Sequence, residues 1–299
     1  MRPLDAETIA WAAQMACLLE VSAEKPGNVT RSKDFWDTHL VDFLTSAVAI
    51  GPALQNAPHL SVGETVLRAV QDTRRMVRTN TNLGMILLLA PLVKAAGMGD
   101  PRGLRASVRD VLAALSVNDA QAAFEAIRLA APGGLGDAER YDVRAADAAV
   151  KVDITLRQAM ELARERDAVA REYVTDFAVT FEVGYTALHR FLAQGHRFAD
   201  AIVQTALTIL AQVPDTLIAR KEGREVAEEV SRRAGRVLEV GGAFSGPGRT
   251  ALTEFDHAIR DERHRLNPGT TADLTAAAIF VYLVAGGGIK TLPDLLDRW

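Results

Sequence analysis

Carboxylates, amides and cations gather in four short segments of this 299-residue sequence. The first is Glu20-Val21-Ser22 leading into Lys25-Pro26-Gly27-Asn28-Val29-Thr30-Arg31, and the second is Thr79-Asn80-Thr81-Asn82-Leu83-Gly84. The third is Asp215-Thr216 with Arg220-Lys221, and the fourth is Asn267-Pro268-Gly269-Thr270-Thr271-Ala272-Asp273. Cations and helix N-termini hold phosphate, and a carboxylate on an apolar surface can take a proton or hold a metal. Each segment adjoins a strongly apolar stretch. The expected arrangement is a polar pocket cut into an apolar body, with a phosphorylated ligand as its occupant.

Single residues in these segments carry two readings. Glu20 falls on one stripe with Ile9, Ala13 and Ala16, so its carboxylate faces the core and needs a partner or a metal, since an unpaired buried charge is costly. A structural salt bridge at the helix end serves as well. Asp42 shares a face with Ser46 and Ala49 in an otherwise uncharged stretch, and reads equally as a first-turn acid favoured by the helix dipole. The Lys25 to Arg31 loop could cradle phosphate or simply turn. Any of Thr79 to Asn82 could cap the apolar helix that follows, but one cap takes one residue, and four exceed that need. Asp215 reads as a helix cap, and Thr270 with Asp273 as a capping-box variant. Capping leaves Asn267 and the Pro268-Gly269 turn unaccounted for.

The elements that must position these groups are helical. β-Branched and aromatic residues rarely alternate with polar ones, while Ala, Leu, Arg and Glu recur at helical spacing. The spacing predicts helices near 5–23, 40–56, 62–79, 83–97, 101–115, 119–131, 153–172, 173–194, 198–213, 216–240, 250–264, 271–285 and 291–298. Gly and Pro clusters punctuate them, and Gly51-Pro52 is either a break or a kink. No linker or repeat divides the chain, so the expectation is one all-α domain over 1–299, a compact bundle of about a dozen helices. The stretches 5–23, 40–56, 83–97 and 271–285 carry few charges on any side and should be central, whereas 153–172 should lie outside.

A net charge of −4 and a pI near 5.9, with basic residues dispersed, leave no electrostatic footprint for nucleic acid. The single cysteine, Cys17, excludes an internal disulfide and reads as a buried thiol. The N-terminus lacks a secretory pattern. The longest apolar run, Leu83 to Ala96, contains Lys94 and falls short of the roughly 20 residues of a membrane span. A cytoplasmic protein with no membrane partner is expected.

Taken in order, the segments resemble the triphosphoribosyl-dephospho-CoA synthase family. The carriers are Glu20-Val21-Ser22 with Lys25-Pro26-Gly27 and Val29, Asp42-Phe43, Asn80-Thr81 with Gly84, Asp215-Thr216, and Pro268-Gly269 with Ala272-Asp273-Leu274. The resemblance implies an all-α transferase in which an acceptor hydroxyl attacks C1′ of the ATP ribose, adenine leaves and the phosphates stay on the sugar. It assigns catalysis to Glu20, Asp42 and Asp215, and Mg²⁺ to Glu20, Asp42 and Asp273. Substrate binding would fall to Lys25, Pro26, Gly27, Asn28, Arg31, Asn80, Thr81, Asn82, Gly84, Thr216, Arg220, Lys221, Asn267, Gly269, Thr270 and Thr271.

One departure changes the expected substrate. Members of the decarboxylase type follow Asn-Thr with His-Lys-Gly, where this sequence has Asn82-Leu83-Gly84. Together with Pro132-Gly133-Gly134-Leu135-Gly136, this resembles a divergent branch associated with tetrahydromethanopterin-type one-carbon cofactors. The expected reaction is then transfer of a phosphorylated ribosyl group, from ATP or phosphoribosyl diphosphate, to an alcohol of a cofactor precursor. A ribosyl-bond hydrolase and a non-catalytic helical nucleotide-binding protein are the alternatives. The expected partners are the small-molecule donor and acceptor, and a homodimer is left open.

Overall fold

The structure, a computed structural model, describes residues 4–99, 103–131 and 152–299. It runs through α1 (Ala6–Ser22), α2 (Leu40–Ala49), α3 (Gly51–Gln55), α4 (Val62–Met76), α5 (Leu83–Ala96), α6 (Leu104–Ala113), α7 (Val117–Ala130) and α8 (Leu156–Ala163). It continues with α9 (Ala168–Val174), α10 (Thr186–Ala193), α11 (Phe198–Gln212), α12 (Thr216–Glu222), α13 (Arg224–Glu239), α14 (Gly246–Ile259), α15 (Gly269–Ala285) and α16 (Leu292–Leu296). Among the described residues the only β pairing is an isolated bridge between Thr30 and Lys33. The fold is all-α, as the periodicity predicts.

Helix α15 is apolar on every side, and such a helix is stable only when surrounded. Every residue from Leu274 to Val284 is buried. Helices α1, α5 and α11 pack around it with a π-helical segment, Val179–Tyr185. Alanines 276 to 278 allow close approach, and Gly184 of the π-helical segment needs it: a Cβ there would lie 2.6 Å from that of Ala278. Cys17 is buried against this core, and burial pushes its thiol up. No single helix among the described residues is long and apolar enough to cross a membrane.

Several predicted helices are divided, each for a local reason. The stretch 40–56 breaks after α2, with Pro52 opening α3. It is also less central than its composition suggests, since Val41 and Val48 are 67% and 63% exposed. The predicted 153–172 helix ends at α8, and the Asp167 side chain accepts the Val169 amide at 2.8 Å to start α9. Asp176 and Phe177 adopt left-handed backbone after α9. The buried Glu172 carboxylate then takes the amides of Val179 and Thr180 at 2.9 and 2.8 Å, opening the π-helical segment. Gly223, at φ 97°, separates α12 from α13. Helix α14 begins at Gly246 and ends at Ile259, so residues 260–268 form a loop in place of the predicted helical end. That last difference reshapes the site. The Pro132 to Gly136 segment lies outside the described residues.

Candidate active site

A cavity of about 560 Å³ is lined by α1, the start of α5, α12, the first turn of α15, and the irregular segments before α2 and α15. That volume suits a cofactor-sized ligand. Buried polar atoms in native proteins are nearly always paired, so exceptions mark places where something else binds. Among the described residues nine buried side-chain atoms lack a hydrogen-bond partner, and six belong to residues lining this cavity. They are Glu20 Oε1, Thr79 Oγ1, Arg220 Nε, both ring nitrogens of His264, and Asn267 Oδ1.

Asp273 and Gly84 meet in this cavity. A Cβ on Gly84 would lie 2.0 Å from Asp273 Oδ2, so only glycine lets the carboxylate rest on the first turn of α5. Asp273 has no hydrogen-bond or ion-pair partner among the described residues. Burial raises its pKa well above the ordinary carboxylate value, and the charges of Glu20, Asp215 and Asp167 add to this, with Arg220 opposing. Glu20 is buried too, but Lys25 Nζ lies 3.0 Å from its Oε1, in an orientation that does not make a hydrogen bond. The same ammonium donates to the backbone oxygens of Glu20 and, at 3.2 Å, Ala23. Burial raises the Glu20 pKa, and Lys25 pulls it back.

The Thr79 to Asn82 cluster is largely spent on structure. Asn80 Oδ1 accepts the Leu83 amide at 3.2 Å, and the Thr81 and Ser46 hydroxyls are 2.5 Å apart. Asn82 Nδ2 donates to Thr73 Oγ1 at 3.2 Å. The unpaired hydroxyl is that of Thr79. All four residues still line the cavity, beside first-turn amides of α5 that have no intrahelical acceptor.

Cations ring the opening. Arg74 and Arg78 come from α4 and the turn after it, Arg220 and Lys221 from α12, and Arg263 from the loop before α15. Arg220 is tied to Asp167 at 2.8 Å. Lys221 Nζ donates to the His264 carbonyl at 3.0 Å, and burial lowers its pKa against the pull of Asp215 and Asp261. His264 itself holds a left-handed backbone, φ 50°, an uncommon state for a residue with a Cβ. Its Nε2 stands 3.6 Å from Asp37 Oδ1, and burial lowers its pKa although Asp37 and Asp261 oppose.

Twelve of the expected site residues line the cavity: Glu20, Asn28, Asn80, Thr81, Asn82, Gly84, Arg220, Lys221, Asn267, Gly269, Thr270 and Asp273. The others do not. Asp42 accepts the His39 amide at 2.8 Å and starts α2, which is the first-turn reading of its sequence. Asp215 is a clamp: Oδ1 accepts the amides of Leu217 and Ile218 at 2.9 and 3.2 Å, and Oδ2 accepts the Thr271 amide and hydroxyl at 2.7 and 2.8 Å. Thr216 donates to Thr270 at 3.1 Å in the same α12–α15 joint, which uses up Thr271 as well. Lys25, Pro26 and Gly27 pack away from the cavity, and the Gly27 amide donates to Asp256 Oδ1 at 2.7 Å. Asp256 also binds Lys33 and Arg260. Arg31 turns to a separate cavity beside Arg197 and Trp299.

The expected three-carboxylate metal site is therefore not assembled. Asp42 is elsewhere and Glu20 is paired, and among the described residues no group of three or more His, Cys, Asp or Glu is arranged to hold a metal ion. Arg74, Arg78, Arg263, Phe35, Asp37 and His264 also line the cavity, outside the four polar segments. Arg74 and Arg78 lie four residues apart across the end of α4, a legible signal, whereas His264 falls at the end of a predicted helix and gives none.

Known proteins show the same pattern of likeness along the chain. The family model for ATP:dephospho-CoA triphosphoribosyl transferase matches residues 6–291. The 2-(5''-triphosphoribosyl)-3'-dephosphocoenzyme-A synthase of Klebsiella pneumoniae is 26% identical over 307 residues, covering 96% of this chain and 99% of that protein. A Pseudomonas savastanoi pv. phaseolicola protein assigned the same activity is 31% identical over 129 residues, 43% of this chain and 42% of the relative. A crystal structure assigned to a triphosphoribosyl-dephospho-CoA synthase from Archaeoglobus fulgidus matches with a TM-score of 0.63 at 30% identity, covering 81% of this chain and 99% of that one.

Proposed function

Because this chain belongs to the ATP:dephospho-CoA triphosphoribosyl transferase family, we propose that its cavity transfers a phosphorylated ribosyl group to an alcohol of a cofactor precursor. The donor is ATP or phosphoribosyl diphosphate. The observation that carries this reading is the juxtaposition of a cation-ringed opening with an unpaired carboxylate at Asp273. Phosphates need cations and amides, while the oxocarbenium-like sugar centre of a glycosyl transfer needs negative charge beside it. The two requirements are met by different parts of one cavity.

On this reading Arg74, Arg78, Arg263, Arg220 and Lys221 hold phosphate, helped by the α5 first-turn amides. Arg74 and Arg78 supply charge that the neutral Asn82 and Leu83 cannot. Asp273 provides the field at the sugar, since Glu20 is paired with Lys25. The segment carrying Phe35 and the loop carrying His264 close over the reacting atoms and keep water away. Magnesium enters as the companion of the donor's phosphates, which commonly supply most of its ligands. We place the acceptor in tetrahydromethanopterin-type cofactor biosynthesis, on the Asn82-Leu83-Gly84 departure. A cytoplasmic location goes with this reading, which leaves a homodimer open.

Incubation of the purified protein with ATP or phosphoribosyl diphosphate, Mg²⁺ and candidate acceptor alcohols tests it. Acceptor-dependent release of adenine or diphosphate, with a ribosylated product, is expected. Release without a ribosylated acceptor would mean hydrolysis, and no release with any acceptor would end the transferase reading.

A further inference from the structure

Of the carboxylates that line the cavity, Glu20 is paired with Lys25, Asp167 with Arg220, and Asp37 stands beside His264, whereas Asp273 is not engaged. Lys25 stands 3.0 Å from Glu20, with both side chains almost wholly buried, so that carboxylate is neutralised from behind. Asp273 has no such partner among the described residues, keeps exposure to the cavity, and is seated where Gly84 leaves room for it and for nothing larger. A structural carboxylate in this protein looks different. Asp215, Asp256 and Glu172 each accept two or more hydrogen bonds from the chain.

We propose that Asp273 is the base that takes the proton of the acceptor hydroxyl as that oxygen bonds to the ribosyl carbon. This assignment rests on the transferase reading. In the step, the acceptor O–H bond breaks and its proton passes to an Asp273 carboxylate oxygen, while the acceptor oxygen forms the bond to C1′. The bond from C1′ to the leaving group breaks, and its electron pair departs with adenine or diphosphate. Asp273 then returns the proton to solvent, and a departing adenine takes one up; nothing is oxidised or reduced.

The charged groups facing Asp273 favour this use. Burial, Glu20 on α1, Asp215 before α12 and Asp167 before α9 raise its affinity for a proton, and Arg220 on α12 opposes them. A carboxylate with an ordinary pKa holds protons weakly, and general bases work best when their pKa lies nearer the working pH. The acid limb of the transfer rate should thus lie above the usual carboxylate range, because the base is lost once protonated.

The test measures transfer rate against pH, and donor binding separately by titration calorimetry, for the intact wild type, Asp273→Asn and Asp273→Ala. Asp273→Asn is expected to lose about 100-fold or more in transfer rate and the acid limb with it. Its donor affinity should stay within about threefold of wild type, as for a group that acts on the chemical step. Added formate should restore part of the rate of Asp273→Ala, which a structural role would not allow. The wild-type pH profile needs no variant and guards against misfolding. Retained rate and acid limb in Asp273→Asn would overturn the proposal. So would recovery of its rate by excess Mg²⁺, which would make Asp273 a metal ligand, or a failure of formate rescue with donor binding lost. If wild type releases neither adenine nor diphosphate with any acceptor, the transferase reading itself has failed, a distinct result.

Discussion

The imidazole of His264 lies flat on the ring of Phe35, with centroids 3.7 Å apart and planes inclined by 16°. The two residues sit 229 positions apart, on the segment before α2 and the loop before α15, so this stack joins the two irregular stretches that border the cavity. Arg260 extends it, its guanidinium 5.9 Å from the Phe35 centroid. Replacing Phe35 by Ala removes the stack, and since an aromatic contact contributes about 0.5–1.5 kcal/mol beyond buried area, stability should fall by at least about that much. Denaturant unfolding of the variant checks this.

The same histidine sets a pH dependence. Burial lowers its pKa below 6.5, so the unfolded chain binds the proton more readily than the folded one. The folded state therefore loses stability as pH falls from near 6.5 towards the lower folded value. Asp37 and Asp261 partly offset the effect, and Lys221 and Arg260 add to it. A His264→Gln variant should flatten the melting temperature over this window. An unchanged slope would show that the titration lies elsewhere.

Gly84→Ala places a methyl group 2.0 Å from Asp273 Oδ2, so the carboxylate must move aside, and its short side chain on the packed α15 leaves it little room to do so. Overpacking of this kind costs about 1–3 kcal/mol. Thermal unfolding should register that loss, and the transfer rate should fall with it because Asp273 is displaced.

Lys25 and Glu20 are a buried pair, with side-chain exposures of 1% and 3%. Removing one partner leaves the other charge uncompensated, which typically costs about 3–5 kcal/mol, whereas replacing both by residues of similar volume is often neutral. Lys25→Met should thus destabilise strongly, and Lys25→Met with Glu20→Gln should recover most of the stability. A denaturant-unfolding double-mutant cycle decides it; additive losses would mean that the two are not coupled.

Asp42 and Arg78 separate capping from binding. Asp42→Ala removes the acceptor of the His39 amide and should lower stability by about 0.5–1.5 kcal/mol, the net contribution of one hydrogen bond, while turnover stays near wild type. Arg78→Gln removes an exposed guanidinium on the cavity's edge, so stability should hold while the donor KM rises about 10-fold. Steady-state kinetics on both variants would reverse these roles if Asp42 acted on substrate.

Local pattern determined the helical fold and most of the core. Alanine and leucine at helical spacing specify α1, α5 and α15 by themselves, because helix hydrogen bonds close within a few residues and an apolar surface needs burial wherever the chain runs. The polar surplus at Glu20 and in the Asn80 to Asn82 cluster marked the neighbourhood of the site for the same reason, since an unpaired polar group on an apolar helix is costly, whereas Asp273 read as part of a helix cap. What the sequence left open was which of these groups would find a partner. Lys25 could have met phosphate and instead meets Glu20; Gly27 is held by Asp256, 229 residues away; Asp215 spends both oxygens joining α12 to α15. Arg78 and His264 reach the cavity only because α4 ends beside α5 and α14 stops at Ile259. Composition and spacing fix a side chain's chemistry and its face on a helix. Whether a carboxylate ends as a cap, an ion pair or a free base depends on charges delivered by distant segments, and only the tertiary structure delivers them.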